Sequence, residues 1–210
     1  SIGGPWTFAA AVELPSGERM LKDHGACTDL AAALAEAVAT HVADLRRRFP
    51  RAALVVQWDE PALPAVLDGR VGTASGLSRY APVDGQRAEA SLRLVLEATS
   101  RAGALPGVHC CAADVPIDLI RASGGGFVSW DLLQPFDDEQ VGRAWEAGMG
   151  ILAGCIPSTG DGRIGDAVAS RPIRETAQRL GLLDERHVAS IVVTPTCGLA
   201  AATPTWARTA

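Results

Sequence analysis

The stretch GVHCCAAD, residues 107–114, places a histidine directly before two cysteines. If these residues form a β-strand, His109 and Cys111 point to one face and Cys110 to the other, because side chains alternate along a strand. An imidazole and a thiolate are two usual zinc ligands, and a catalytic zinc site takes at least three protein ligands. The alternative is a buried histidine bonded to a carbonyl beside two small apolar thiols.

Further candidate ligands follow other predicted strands. Cys197 lies just past the last strand, in VVTPTCGLA, and supplies a third ligand if the strand ends meet at one rim. Asp131, at the end of FVSWD, is expected to be a fourth ligand or a partner that orients His109. The alternative for Asp131 is a solvated loop carboxylate. Cys155, which ends ILAGC, is an additional candidate ligand, and packing is its favoured interpretation.

A second cluster is QWDEPAL, residues 57–63, in which two adjacent carboxylates follow a predicted strand. Pro61 restricts the residue before it to an extended path. Asp59 is the candidate site residue, since an acid there can hold a substrate ammonium group. Glu60 is expected to pair elsewhere, for example with an arginine. The alternative for this cluster is a salt bridge at the strand end.

Short apolar runs alternate with longer amphipathic segments, which is typical of a parallel sheet covered by helices. Six strands are predicted at residues 4–12, 52–58, 107–111, 126–132, 150–156 and 189–196, and helices at 28–49, 86–102, 115–122, 138–147 and 171–182, with a long loop at 62–85. Chemistry-bearing residues at the strand ends favour an α/β fold of the (β/α)8 TIM-barrel type, with about six of the eight units, as one domain over residues 1–210. An open doubly wound sheet is the alternative.

Composition narrows the function classes. The 210 residues are 48% hydrophobic, which is enough for a substantial core, and their net charge of −5 gives no reason to expect nucleic acid or an anionic membrane as partner. No apolar run reaches the roughly 18 residues of a membrane span, and the start SIGGPWTF lacks signal-peptide features, so a cytoplasmic location is expected. Five cysteines, an odd number, favour metal binding or catalysis over a disulfide framework.

The motifs GPWT, QWDEPAL, VHCC, IPS and TPTCGLA, in this order, resemble the catalytic C-terminal barrel of cobalamin-independent methionine synthase over nearly the whole chain. More narrowly, the chain is similar to the short methionine-synthase-like proteins of the superfamily that includes uroporphyrinogen decarboxylase. The resemblance implies Zn²⁺ as cofactor, held by His109, Cys111, Asp131 and Cys197, and it implies that Asp59 contacts homocysteine. The implied activity is a methyltransferase that holds homocysteine as a zinc thiolate and methylates it to methionine.

The chain also departs from that family. The family's acid ligand is Glu where this chain has Asp131, its pterin-stacking Trp falls near Ala11, and its proton-donating His aligns with Cys155. The methyl donor is therefore left open. Alternatives are a methyltransferase of the same superfamily that uses another thiol or a corrinoid donor, and a noncatalytic zinc-binding barrel remnant. The family's first two strands have no counterpart before Ser1, so a complementing chain or segment is an expected partner beside the small-molecule substrates.

Overall fold

The computed structural model describes residues 1–160, 165–182, 184 and 191–208. Six strands form one sheet in the order β1-β2-β3-β4-β5-β6: Ile2–Gly3 (β1), Val55–Asp59 (β2), Leu105–Cys110 (β3), Phe127–Asp131 (β4), Gly150–Ile156 (β5) and Ile191–Pro195 (β6). The α-helices are Pro5–Ala11 (α1), His24–Arg48 (α2), Leu63–Leu67 (α3), Gly85–Arg101 (α4), Ile117–Ala122 (α5), Asp138–Glu146 (α6), Asp166–Leu180 (α7) and Pro204–Ala207 (α8). Among the described residues, no helix is both long and apolar enough to cross a membrane.

The chain divides into two compact units, of which the first contains Ser1–His109 and Leu119–Gly126. In this unit β1, β2 and β3 run parallel, and Asp59 at the end of β2 lies opposite His109 on β3. Trp58 is fully buried, and its indole Nε1 donates a hydrogen bond to Thr99 Oγ1 of α4 at 3.1 Å. This bond fixes α4 against the sheet, because a buried indole N–H requires an acceptor.

The second unit contains Cys110–Asp118 and Phe127–Ala210. Strands β4, β5 and β6 run parallel, with Asp131 opposite Gly154 and Gly154 opposite Thr194. Trp130 precedes Asp131 in β4 and therefore points to the opposite face of the sheet. There Trp130 and Trp145 of α6, both buried, line a small apolar cavity. This face is therefore apolar, and residues of α6 and α7 line the cavity beside it.

The alternation of helices with parallel strands is confirmed, but the first predicted strand is wrong. Residues 4–12 were expected to be extended, whereas Pro5–Ala11 form α1 and only Ile2–Gly3 pair in the sheet. Proline at the first helical position is favourable, because its missing N–H would have no partner inside the helix there. The dipeptide Gly4-Pro5 thus begins a helix within a run that looked like a strand.

Other boundaries also differ from the predictions. The cap of α2 is Asp23, whose side chain accepts from the Ala26 N–H at 3.0 Å, so the helix begins before residue 28, where the sequence pattern placed its start. The predicted loop at 62–85 contains α3, and α7 begins at Asp166 instead of residue 171. Residues 189 and 190 of the last predicted strand lie outside the described residues. The closed barrel stays a prediction.

Candidate metal centre

At the end of β3, the alternation of side chains along the strand places His109 and Cys110 on opposite faces of the sheet. His109 and Cys110 are buried, with 7% and 0% of their surfaces exposed, and Cys111 directly after the strand is half-buried. His109 is the register partner of Asp59 on β2, so their side chains share one face of the sheet in the first unit. Cys110 projects to the opposite face, as predicted.

Cys197 is positioned by the turn that follows β6. The Thr196 N–H donates to the Ile156 carbonyl at 2.7 Å, and the Ser158 N–H donates to Thr196 Oγ1 at 3.1 Å. These bonds anchor the residue before Cys197, which is itself exposed. Its thiol donates a hydrogen bond to Cys111 Sγ, with 3.4 Å between the two sulfurs.

His109, Cys111 and Cys197 form a group that can hold a metal ion. One ligand atom from each of the three lies within 4.8 Å of the other two. Two sulfurs at ~2.3 Å from a tetrahedral zinc ion would be separated by roughly 3.8 Å, close to the 3.4 Å found between these thiols. The donor set of two sulfurs and one imidazole nitrogen fits Zn²⁺, so these three residues are a possible metal-binding group.

The thiol of Cys111 is held in its protonated form in the absence of a metal. Burial of the thiol, its interaction with the Cys197 sulfur and the nearby charge of Asp131 together raise the pKa of Cys111 to about 11. A thiolate is the form that binds metal. A metal must therefore displace a proton from Cys111 at neutral pH.

Asp131 lies outside this group of three residues. Its Oδ1 accepts a hydrogen bond from the Leu133 N–H at 2.8 Å, and its Oδ2 accepts from Gln134 Nε2 at 3.4 Å. Oδ1 thus caps the turn after β4, and Oδ2 contacts the Gln134 side chain. The short aspartate side chain favours this local turn, because its oxygens reach the backbone two residues ahead. Its role as a fourth ligand stays a prediction.

Cys155 also lies outside the group, and its predicted packing role agrees with its environment. The residue is 3% exposed, near the carboxyl end of β5, two positions after buried Ala153. Burial raises the pKa of its thiol. An inaccessible, protonated thiol is a small apolar side chain, which is how Cys155 contributes to the core.

The two adjacent carboxylates of QWDEPAL, Asp59 and Glu60, differ in burial, as Cys110 and Cys111 do. Asp59 is half-buried, and its Oδ1 accepts from Gln57 Nε2 at 2.8 Å. Glu60 is fully buried, and its two oxygens accept the backbone N–H groups of Trp6 at 2.9 Å and Thr7 at 2.7 Å. Glu60 therefore pairs elsewhere, as expected, but its partners are the backbone N–H groups at the start of α1 and not an arginine.

No pattern in the sequence indicates that Glu60 caps α1, although the dipeptide Gly4-Pro5 marks the start of this helix. A side chain on Gly4 would overlap the Glu60 carboxyl group, so this close approach requires glycine. Burial raises the pKa of Glu60 to about 7, against the lowering effect of the hydrogen bonds from Trp6 and Thr7. The carboxylate and the positive end of the helix attract each other, which favours the cap.

Comparisons with known proteins add no family assignment. No protein-family model matches the chain, and no curated protein matches it. A solved structure described only as that of an uncharacterized protein is similar at a TM-score of 0.37 and 12% identity, over 78% of this chain. The chain spans 38% of the length of that protein. The geometry defines an α/β protein with a candidate Cys₂His metal centre.

Proposed function

We propose that this chain is a zinc-dependent methyltransferase that methylates a thiol, with homocysteine as the acceptor implied by its motifs. The observation that carries the proposal is the convergence of His109, Cys111 and Cys197. Three protein ligands are what a catalytic zinc ion retains when its fourth position is open to water or substrate. A metal site of this composition suits a soft sulfur ligand, because thiolates and zinc bind each other strongly.

The environment of the group favours an open catalytic site over a closed structural one. Cys197 is exposed, so the site is accessible from solution. Cys155 would complete a closed Cys₃His set, but it is buried and lies outside the ligand group found among the described residues. Asp131 has both oxygens engaged in its own turn. The noncatalytic zinc-binding alternative therefore has less support.

Zinc bound there supplies a Lewis acid that keeps the acceptor thiol deprotonated at neutral pH while leaving it nucleophilic. His109, Cys111 and Cys197 bind and orient the metal. Asp59, whose carboxylate is held by Gln57, binds the ammonium group of an amino-acid acceptor. In the overall reaction a methyl group replaces the proton on the acceptor sulfur, and the donor leaves with that proton.

The test measures zinc and its sulfur neighbours in the purified chain. We expect one zinc ion per chain by elemental analysis, and two sulfur ligands by zinc-edge X-ray absorption, from Cys111 and Cys197. Adding homocysteine should raise the sulfur count to three, whereas methionine, which has no thiol, should leave it at two. A count that stays at two with homocysteine contradicts the proposal. Assays with methyltetrahydrofolate and methylcobalamin then identify the donor class.

A further inference from the structure

Cys111 and Cys197 form a close pair of free thiols within the second compact unit. Their sulfurs lie 3.4 Å apart. A disulfide bond is ~2.05 Å long, so an approach of roughly 1.4 Å separates the pair from bond formation. Cys197 is exposed and Cys111 is half-buried, so at least one thiol of the pair is open to a reagent in solution.

The position of Cys197 allows this approach. Thr196 is anchored by its hydrogen bonds to Ile156 and Ser158, which hold the end of β6. Gly198 follows Cys197 in open space, since even an added Cβ there would meet no atom within 4 Å. Rotation of the Cys197 side chain on this exposed turn can therefore bring the sulfurs together while the strand hydrogen bonds stay in place.

The remaining cysteines do not compete for the reagent. Cys27, Cys110 and Cys155 are buried, with 4%, 0% and 3% of their surfaces exposed. Accessibility and a partner sulfur are both needed for disulfide exchange, because the first thiol must be attacked by the reagent and the second must displace it. Among the five cysteines, only Cys111 and Cys197 combine these two properties in the structure.

We propose that Cys111 and Cys197 are a thiol–disulfide exchange site whose oxidant is a small disulfide. The Cys197 sulfur attacks the reagent and forms a mixed disulfide, and one small thiol leaves. The Cys111 sulfur then attacks the Cys197 sulfur, the protein disulfide forms, and the second small thiol leaves. Two electrons pass from the protein pair to the reagent, and the two protein thiol protons end on the two small thiol products.

The regulatory consequence rests on the proposed zinc function. The sulfurs of a disulfide are no longer thiolates, so oxidation removes two of the three residues of the metal group and Zn²⁺ is released. The zinc-bound sulfurs carry no protons, so in this case the two small thiols take two protons from solution. Reduction of the disulfide by added dithiol restores the pair and its capacity for zinc.

The first test treats the reduced, metal-free chain with oxidised glutathione, blocks the remaining thiols and maps the peptides by mass spectrometry. We expect a cross-linked peptide pair that joins Cys111 to Cys197. The Cys197→Ser variant should give no cross-link, and the matched control Cys110→Ser should retain it. A stable glutathione adduct on Cys197 without the cross-link, or a cross-link through Cys110 or Cys155, would overturn the proposal.

A second variant separates this proposal from the proposed function. His109→Ala removes one candidate zinc ligand and keeps both thiols, so it should form the cross-link to the same extent as the parent metal-free chain. If the cross-link forms but the reduced parent chain binds no zinc, the exchange site stands and the zinc-dependent function fails. If the reduced chain binds zinc but no cross-link forms after zinc removal, the exchange proposal alone fails.

Discussion

Two strand ends in this molecule each place neighbouring residues of one chemical type in opposite environments. After β2, Asp59 is half-buried while Glu60 is fully buried. At β3, Cys110 is fully buried while Cys111 reaches the thiol of Cys197. The two buried residues, Glu60 and Cys110, differ in what their burial requires. Glu60 needs the hydrogen bonds from α1, whereas a buried thiol can pack as an apolar group. Residue type therefore identifies candidate site residues, and their position along the strand decides which of two neighbours is buried in the core and which is available to a site.

The largest expected effect comes from replacing Cys111, and the same replacement at the adjacent Cys110 is the control. Cys111→Ser removes a thiolate from the candidate metal group and should weaken zinc binding by about 1,000-fold, or ~4 kcal/mol. Cys110→Ser changes a residue on the other face and should leave the zinc affinity within about threefold. Competition with a chromophoric chelator measures both constants. Equal losses in the two variants would show that strand alternation does not separate these residues.

The buried carboxylate should matter for stability far more than its neighbour. Glu60→Ala leaves the Trp6 and Thr7 N–H groups without their acceptor and opens space in the core, so we expect a loss of about 3 kcal/mol in the free energy of unfolding. Asp59→Ala should lower this free energy by less than about 1 kcal/mol. Urea denaturation of both variants tests the difference. A greater loss for Asp59 would reverse the assignment of structural and site residue.

Zinc binding should depend on pH through Cys111. Because the pKa of this thiol is raised to about 11, the proton is bound below that pH and must leave when the metal binds. Cys111 alone should thus increase the zinc affinity about tenfold per pH unit between pH 7 and 9, equivalent to ~1.4 kcal/mol per unit, with weaker binding at lower pH. Calorimetry in two buffers of different ionisation heat measures the released protons. An affinity independent of pH would contradict a protonated resting thiol.

The three residues of the candidate metal group could be picked out from the sequence because each lies at or just after the end of a predicted strand. Alternation along one strand put His109 and Cys111 together, and Cys197 joined them across 86 residues since both cysteines follow strands of a parallel sheet. The cap by Glu60 links residues 54 positions apart and has no local pattern of its own. The run GPWTFAAAV looked extended for a similar reason: its apolar content fits a strand, and the acceptor for its first N–H groups lies elsewhere in the chain.

The smallest expected effect concerns Asp131, the acid that the motif resemblance implies as a fourth ligand. Asp131→Asn keeps an oxygen that can accept the Leu133 N–H, so the turn after β4 should persist while the negative charge disappears. If the carboxylate serves this turn and acts on Cys111 only through its charge, zinc affinity should change by less than tenfold. Direct ligation predicts a loss nearer that of Cys111→Ser, because an amide oxygen is a much poorer zinc ligand. Gln134→Ala, which removes only the contact to Oδ2, is the matched control, and both affinities follow from the same chelator competition.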